Sequence, residues 1–183
     1  MALAPLIYTC AKNVSGLRKI FIAEKSVATA LTITSGEISA VTGTTPFQRV
    51  DIIQDSAKCE QKITKVGKNN HKVDVLIEAD VRPMAKDTNT FLQALMDGSP
   101  CGFFVLTQDE NGKCFIYGHS SSDLRDRPLQ LEAADYDSGQ GLEAEAGNIR
   151  IKISGTMTGL ALPLDSTLTA AVLGGTSTIV KWS

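Results

Sequence analysis

Lys72-Val73-Asp74-Val75-Leu76-Ile77-Glu78-Ala79-Asp80-Val81 alternates apolar and polar side chains almost without interruption. Successive side chains of a strand point to opposite faces, so Val73, Val75, Ile77, Ala79 and Val81 form one apolar face while Lys72, Asp74, Glu78 and Asp80 share the other. A helix would scatter the same residues around its circumference. Ile149, Ile151 and Ile153, interleaved with Arg150 and Lys152, repeat the pattern. Each segment reads as a strand with one face on a core and one in water.

Working outward, similar signals predict strands at 17–23, 31–34, 37–41, 47–55, 58–66, 102–107, 113–117 and 129–134. About ten short strands separated by turn residues point to a mainly β chain, an antiparallel sandwich or barrel. Phe103-Phe104-Val105-Leu106 is apolar on both faces and predicts a central strand, with its mate reached through Asn111-Gly112, whose residues tolerate positive φ. A single flanking helix is expected at about 88–97. Asp87 or Thr88 would cap it, Phe91, Leu92, Leu95 and Met96 would make its apolar stripe, and Gly98 with Pro100 would end it.

The 183 residues are 43% hydrophobic and 21% charged, the composition of one ordinary globular domain. A formal charge of −2 gives no reason to expect affinity for phosphates. The uncharged stretch 166–180 contains Gly174-Gly175-Thr176-Ser177 and is too short for a membrane span. Nothing basic precedes the apolar residues of 1–10, so a secretory signal is not expected. Cys10, Cys59, Cys101 and Cys114 form no C-x-x-C pair and read as reduced packing residues. Charge is uneven along the chain, with ten basic and five acidic residues in 1–72 and eight and fifteen in 73–183. Opposite surfaces of an assembling subunit would show such a split.

Two segments fit poorly inside a closed monomer. The stretch 58–72 alternates like a strand pair but is polar, and turns at Gly67-Lys68-Asn69-Asn70, so it predicts a projecting β-hairpin. Its exposed edge calls for a neighbour, or for its five lysines to guard it. The second is 156–183, an apolar arm whose only charges are Asp165 and Lys181. Such an arm packs on its own domain or on a neighbouring subunit.

Catalytic chemistry finds little support. His71 sits at the hairpin tip, and His119, beside Ser120-Ser121-Ser122, lacks the G-x-S-x-G elbow and reads as a loop histidine. The acids Asp123, Asp126, Asp135, Asp137, Glu143 and Glu145 lack the ligand spacing of a calcium loop. No phosphate-cradling glycine motif appears, and no cofactor is expected. The reading is of a structural protein, not an enzyme.

Read in order, the strand region ending Gly36-Glu37-Ile38-Ser39-Ala40-Val41, then Phe47-Gln48-Arg49-Val50-Asp51-Ile52-Ile53, the polar hairpin, the returning strand 73–80, the helix 91–96, the hairpin through Asn111-Gly112, and 149–155 resemble the tail tube proteins of long-tailed bacteriophages. That family shares its fold with the inner-tube proteins of contractile secretion machines. The resemblance implies a virion protein made in the host cytoplasm, hexameric rings that stack head-to-tail with copies of itself and with other tail proteins, and transient, non-specific passage of DNA. It also implies division into an N-terminal arm (1–16), a tube-like β domain (17–155) and the C-terminal arm (156–183). Ile63, Lys65, Val66, Gly67, Lys68, Asn69 and Asn70 are then the candidate subunit interface. Asp74, Glu78 and Asp80 are candidates for an acidic lumen, alongside the acids of 123–145. The alternatives are another virion protein (tail terminator, connector ring or capsid decoration subunit) and a soluble β-sandwich that binds a small molecule.

Overall fold

In a computed structural model the described residues are 16–25, 28–43, 47–53, 55–68, 70–81, 86–120, 125–137, 148–173 and 180–181. In chain order they form Leu17–Glu24 (β1), Ala28–Thr34 (β2), Glu37–Gly43 (β3), Phe47–Val50 (β4), Lys58–Val66 (β5), Asn70–Val81 (β6) and Lys86–Gly98 (α1). There follow Phe103–Asp109 (β7), Cys114–Tyr117 (β8), His119–Ser120 (β9), Arg125–Asp126 (β10), Gln130–Asp137 (β11), Asn148–Met157 (β12), Leu162–Pro163 (β13), Ser166–Leu173 (α2) and Val180–Lys181 (β14).

The period-two segments assemble as their patterns require. β6 pairs with β12 so that Ile77 faces Ile153, Ala79 faces Ile151 and Val81 faces Ile149, and all six side chains are buried. These strands form a four-stranded sheet in the order β11-β12-β6-β5. Its apolar face packs on Ile20, Ile22, Phe103, Val105 and Tyr117 of a second sheet, ordered β13-β8-β7-β1-β4-β14. The opposite face of that second sheet carries Phe21, Ala23, Phe104, Leu106 and Ile116, covered by the β2-β3 pair through Ile38 and by Leu164 and Val172. The fold is therefore a stack of open, mainly antiparallel sheets and not a closed barrel.

A sheet covered on both sides needs strands apolar on both sides. The runs 20–23 and 103–106 meet that need, and β7 lies between β8 and β1, inside the sheet as expected. The β7-β8 hairpin forms, but only Gly112 of its Asn-Gly pair has positive φ, at 81°. The connection spans four residues and is closed by Asp109, whose N–H donates to the Lys113 carbonyl at 2.9 Å and whose carboxylate accepts the Lys113 N–H at 2.7 Å. A two-residue turn with two positive φ values occurs instead at Ser35-Gly36, between β2 and β3.

Three expectations change. β4 stops at Val50, short of residue 55, because the chain there leaves one sheet for the other: Ile52 bridges to Val81, and the Ile53 N–H donates to the Asp80 carbonyl at 2.7 Å. α1 begins at Lys86, so the expected caps lie inside it, and of its stripe Leu95 is buried while Met96 is 58% exposed. A second helix, α2, joins the one expected; Asp165 caps it, accepting the Leu168 N–H at 2.7 Å. The described part of the C-terminal arm packs on its own subunit, with β13 beside β8, β14 beside β4, and Leu162, Leu164 and Val172 buried. Residues 1–15 of the N-terminal arm lie outside the described residues, as do 138–147.

Candidate functional site

The four-stranded sheet has a second face, and the pattern that places valines and isoleucines inside places charges outside. On it, Asp74, Glu78 and Asp80 of β6 meet cations from both flanking strands. Lys58 Nζ lies 2.8 Å from Glu78 Oε2, and Lys152 Nζ lies 3.8 Å from Glu78 Oε1. Arg150 grips Asp80 twice, Nε donating to Oδ1 at 2.8 Å and Nη2 to Oδ2 at 3.0 Å. Lys72 stands 3.0 Å from Asp74, which also accepts the Thr156 hydroxyl at 2.9 Å.

These contacts have the expected electrostatic sign. The hydrogen bond from Lys58 holds the Glu78 carboxyl below its ordinary range, and those from Lys72 and then Thr156 do the same for Asp74. Lys58 and Arg150 are pushed up, chiefly by their bonds to Glu78 and Asp80. Each acid of β6 is thus matched by a neighbour. Asp80 departs furthest from a lumenal acid, being 8% exposed and held by Arg150. A groove of about 350 Å³ lies on the face, lined among others by Glu60, Lys62, Leu76, Glu132, Ser154 and Thr156.

The edges of this sheet are β5 and β11, nine and eight residues long, whereas the six-stranded sheet ends in β13 and β14 of two residues each. β2 is a further long edge, on the two-stranded cover. β5 pairs with β6 along its whole length, from Lys58 opposite Glu78 to Val66 opposite Asn70. β12 flanks β6 only as far as Val73, which faces Met157, so the part of the hairpin that projects is 64–72. At its base Ile63 is 58% exposed on the core side of β5, and Val66 is 46% exposed on the opposite side. Lys65, Lys68 and Asn70 are exposed around Gly67, which turns the chain at φ 69°. Asn69 lies outside the described residues.

Leu160, in the apolar C-terminal arm, is 51% exposed. It precedes Ala161, whose N–H donates to Gln61 Oε1 at 3.0 Å and so holds this part of the chain beside β5. Its apolar neighbours Leu162 and Leu164 carry the same signal in the sequence but are buried.

His119 is a buried strand residue and not an open loop histidine, with Nδ1 3.0 Å from Asp126 Oδ1. Its Nε2 meets no hydrogen-bond partner among the described residues. The pair braces the β9-β10 hairpin. Among the described residues no group of three or more His, Cys, Asp or Glu side chains is placed to hold a metal ion. No described helix is long and apolar enough to cross a membrane. No protein-family model and no curated protein sequence matches the chain.

Proposed function

We propose that the chain is a self-assembling structural subunit of the tail tube kind, whose copies close into rings, hexameric by the resemblance, that stack into a conduit for DNA. The observation that carries this reading is the pair of long edges on one sheet, β5 and β11. Every neighbouring pair in that sheet is antiparallel, so its two edge strands run in opposite directions. A second copy can set its β11 beside the first copy's β5 and continue the antiparallel alternation. Such a contact uses different surfaces on the two copies and repeats, which is the requirement for a ring.

Supporting features are the exposed apolar side chains Ile63, Val66 and Leu160, and the grooved polar face. A wall whose central acids, those of β6, are each matched by cations and whose β11 edge is acidic offers a passing polyanion no net positive surface to adhere to. Asp74 and Glu78 remain the candidates to line it.

The test is negative-stain electron microscopy with light scattering on the full-length protein. Stacked hollow rings are expected; single rings that do not polymerise would point to a terminator or connector, and a monomer at high concentration would overturn the reading. Ile63→Asp with Val66→Asp should leave a folded monomer that forms no rings. Intact rings from that variant would remove the hairpin from the account.

A further inference from the structure

Resting on the assembly reading above, we infer that the contact between copies joins β5 of one protomer to β11 of the next, and that charge selects this pairing over like-with-like edges. β5 carries Lys58, Lys62 and Lys65 against the single acid Glu60, whereas β11 carries Glu132, Asp135 and Asp137 and no base. The two edges of one sheet are thus opposite in sign.

The internal pairing on the polar face sharpens the point. Lys58 is matched with Glu60 and Glu78, Lys72 with Asp74, and Arg150 with Asp80. Lys62 has no described carboxylate within 4 Å and acts on Asp74 only from farther off, as Asp135 does on Arg150, and Glu132 forms no ion pair with a described residue. The charges of this face that no close ion pair holds therefore sit at its two edges, positive on β5 and negative on β11. They also point the same way: Lys62 is opposite Asp74 in the register, Asp135 is opposite Arg150, and Glu132 shares the groove with Lys62. In a sheet continued from copy to copy, Lys62 of one and the acids of the next would project on one side, where cross-strand opposite charges attract.

Like-with-like contacts are penalised by the same arrangement. Two β5 edges bring a lysine excess against a lysine excess, and two β11 edges bring acids together with no cation on either strand. A dead-end dimer about a two-fold axis is thereby disfavoured and the head-to-tail contact that closes a ring is favoured.

The experiment uses two charge-reversed forms of the full-length protein. Lys62→Glu with Lys65→Glu makes both edges acidic, and Glu132→Lys with Asp135→Lys makes both basic. All four side chains are exposed, so circular dichroism and urea midpoints should match the wild type. Each form alone should assemble less well, raising the concentration needed for rings by on the order of tenfold or more. Mixed in equal amounts, they should form rings of alternating copies, because each acidic edge then meets a basic one. Added salt should weaken wild-type assembly. Wild-type assembly unchanged in either reversed form, or no recovery on mixing, overturns the pairing while leaving the assembly reading intact. A wild type that stays monomeric would show that the lysines guard the edge, and both would fall.

Discussion

Arg150 closes on Asp80 through two parallel hydrogen bonds of 2.8 and 3.0 Å, bracing β12 against β6 across 70 residues of sequence. The backbone of Asp80 works at the same point: its N–H donates to Ser56 Oγ at 3.2 Å, and its carbonyl accepts the Ile53 N–H. One residue thus ties the two central strands of the four-stranded sheet to the crossing segment that links the sheets.

The two ends of this bridge are unequal. Asp80 is 8% exposed, whereas the Arg150 side chain is 55% exposed and can be hydrated once its partner is gone. Arg150→Met should therefore lower the urea midpoint more than Asp80→Asn, since it strands a buried carboxylate while the amide keeps one acceptor. The reverse order in paired denaturation curves would show that Asp80 does not depend on Arg150.

Acid should loosen this sheet. Glu78 and Asp74 are held below their ordinary carboxylate range in the folded chain, so they contribute stability above the unfolded value, and that contribution is lost as pH falls through the folded one. Urea midpoints should hold near neutrality and decline below about pH 4.5. Glu78→Gln should make the acid decline shallower; an unchanged slope would show that Glu78 carries none of it.

Gly118 and Gly36 separate strain from crowding. Both have positive φ, 102° and 84°, but a Cβ on Gly118 would lie 2.8 Å from Phe104 Cδ1 and 2.9 Å from the Phe103 carbonyl oxygen, while nothing lies within 4 Å of one on Gly36. Gly36→Ala should cost about 1 kcal/mol from backbone strain alone. Gly118→Ala should cost about 2–4 kcal/mol, strain and overpacking together. Equal losses in the two variants would mean that β7 yields freely at Phe103 and Phe104.

Thiol reactivity should follow burial. Cys114 is 1% exposed and its thiol is pushed up to about 11, first by burial and then by Asp109; burial also raises Cys59. Cys101 is exposed in the turn after α1. Because the thiolate is the nucleophile, iodoacetamide at mild alkaline pH should modify Cys101 and spare Cys59 and Cys114 until urea is added. Mass spectrometry showing Cys114 alkylated in the native protein as fast as Cys101 would contradict its placement between the central sheet and its cover.

Much of the candidate interface can be read from residues 58–72. Gly67 marks the turn, the alternation marks the strands, and Ile63 and Val66 stand out in a polar segment. Glu132 and Asp135 are less legible, because acids are common throughout 123–145 and nothing local distinguishes an edge strand from an inner one. Met96 and Leu95 show the same limit on a helix: both belong to an apolar stripe, yet only Leu95 meets the core.

The sequence by itself determined where the longer strands lie, which side chains share a face, and that β7 must be covered on both sides, because alternation is a property of each segment alone. The tertiary structure decided that β5 and β11 bound one sheet with opposite charge, that Asp80 is gripped by Arg150 while Lys62 acts on Asp74 only from beyond ion-pair distance, and that the C-terminal arm folds back as α2 over the central sheet. Those are outcomes of pairing between residues far apart in the chain. The free energy of such a pairing depends on which other segments compete for the same partner, and no local pattern records that.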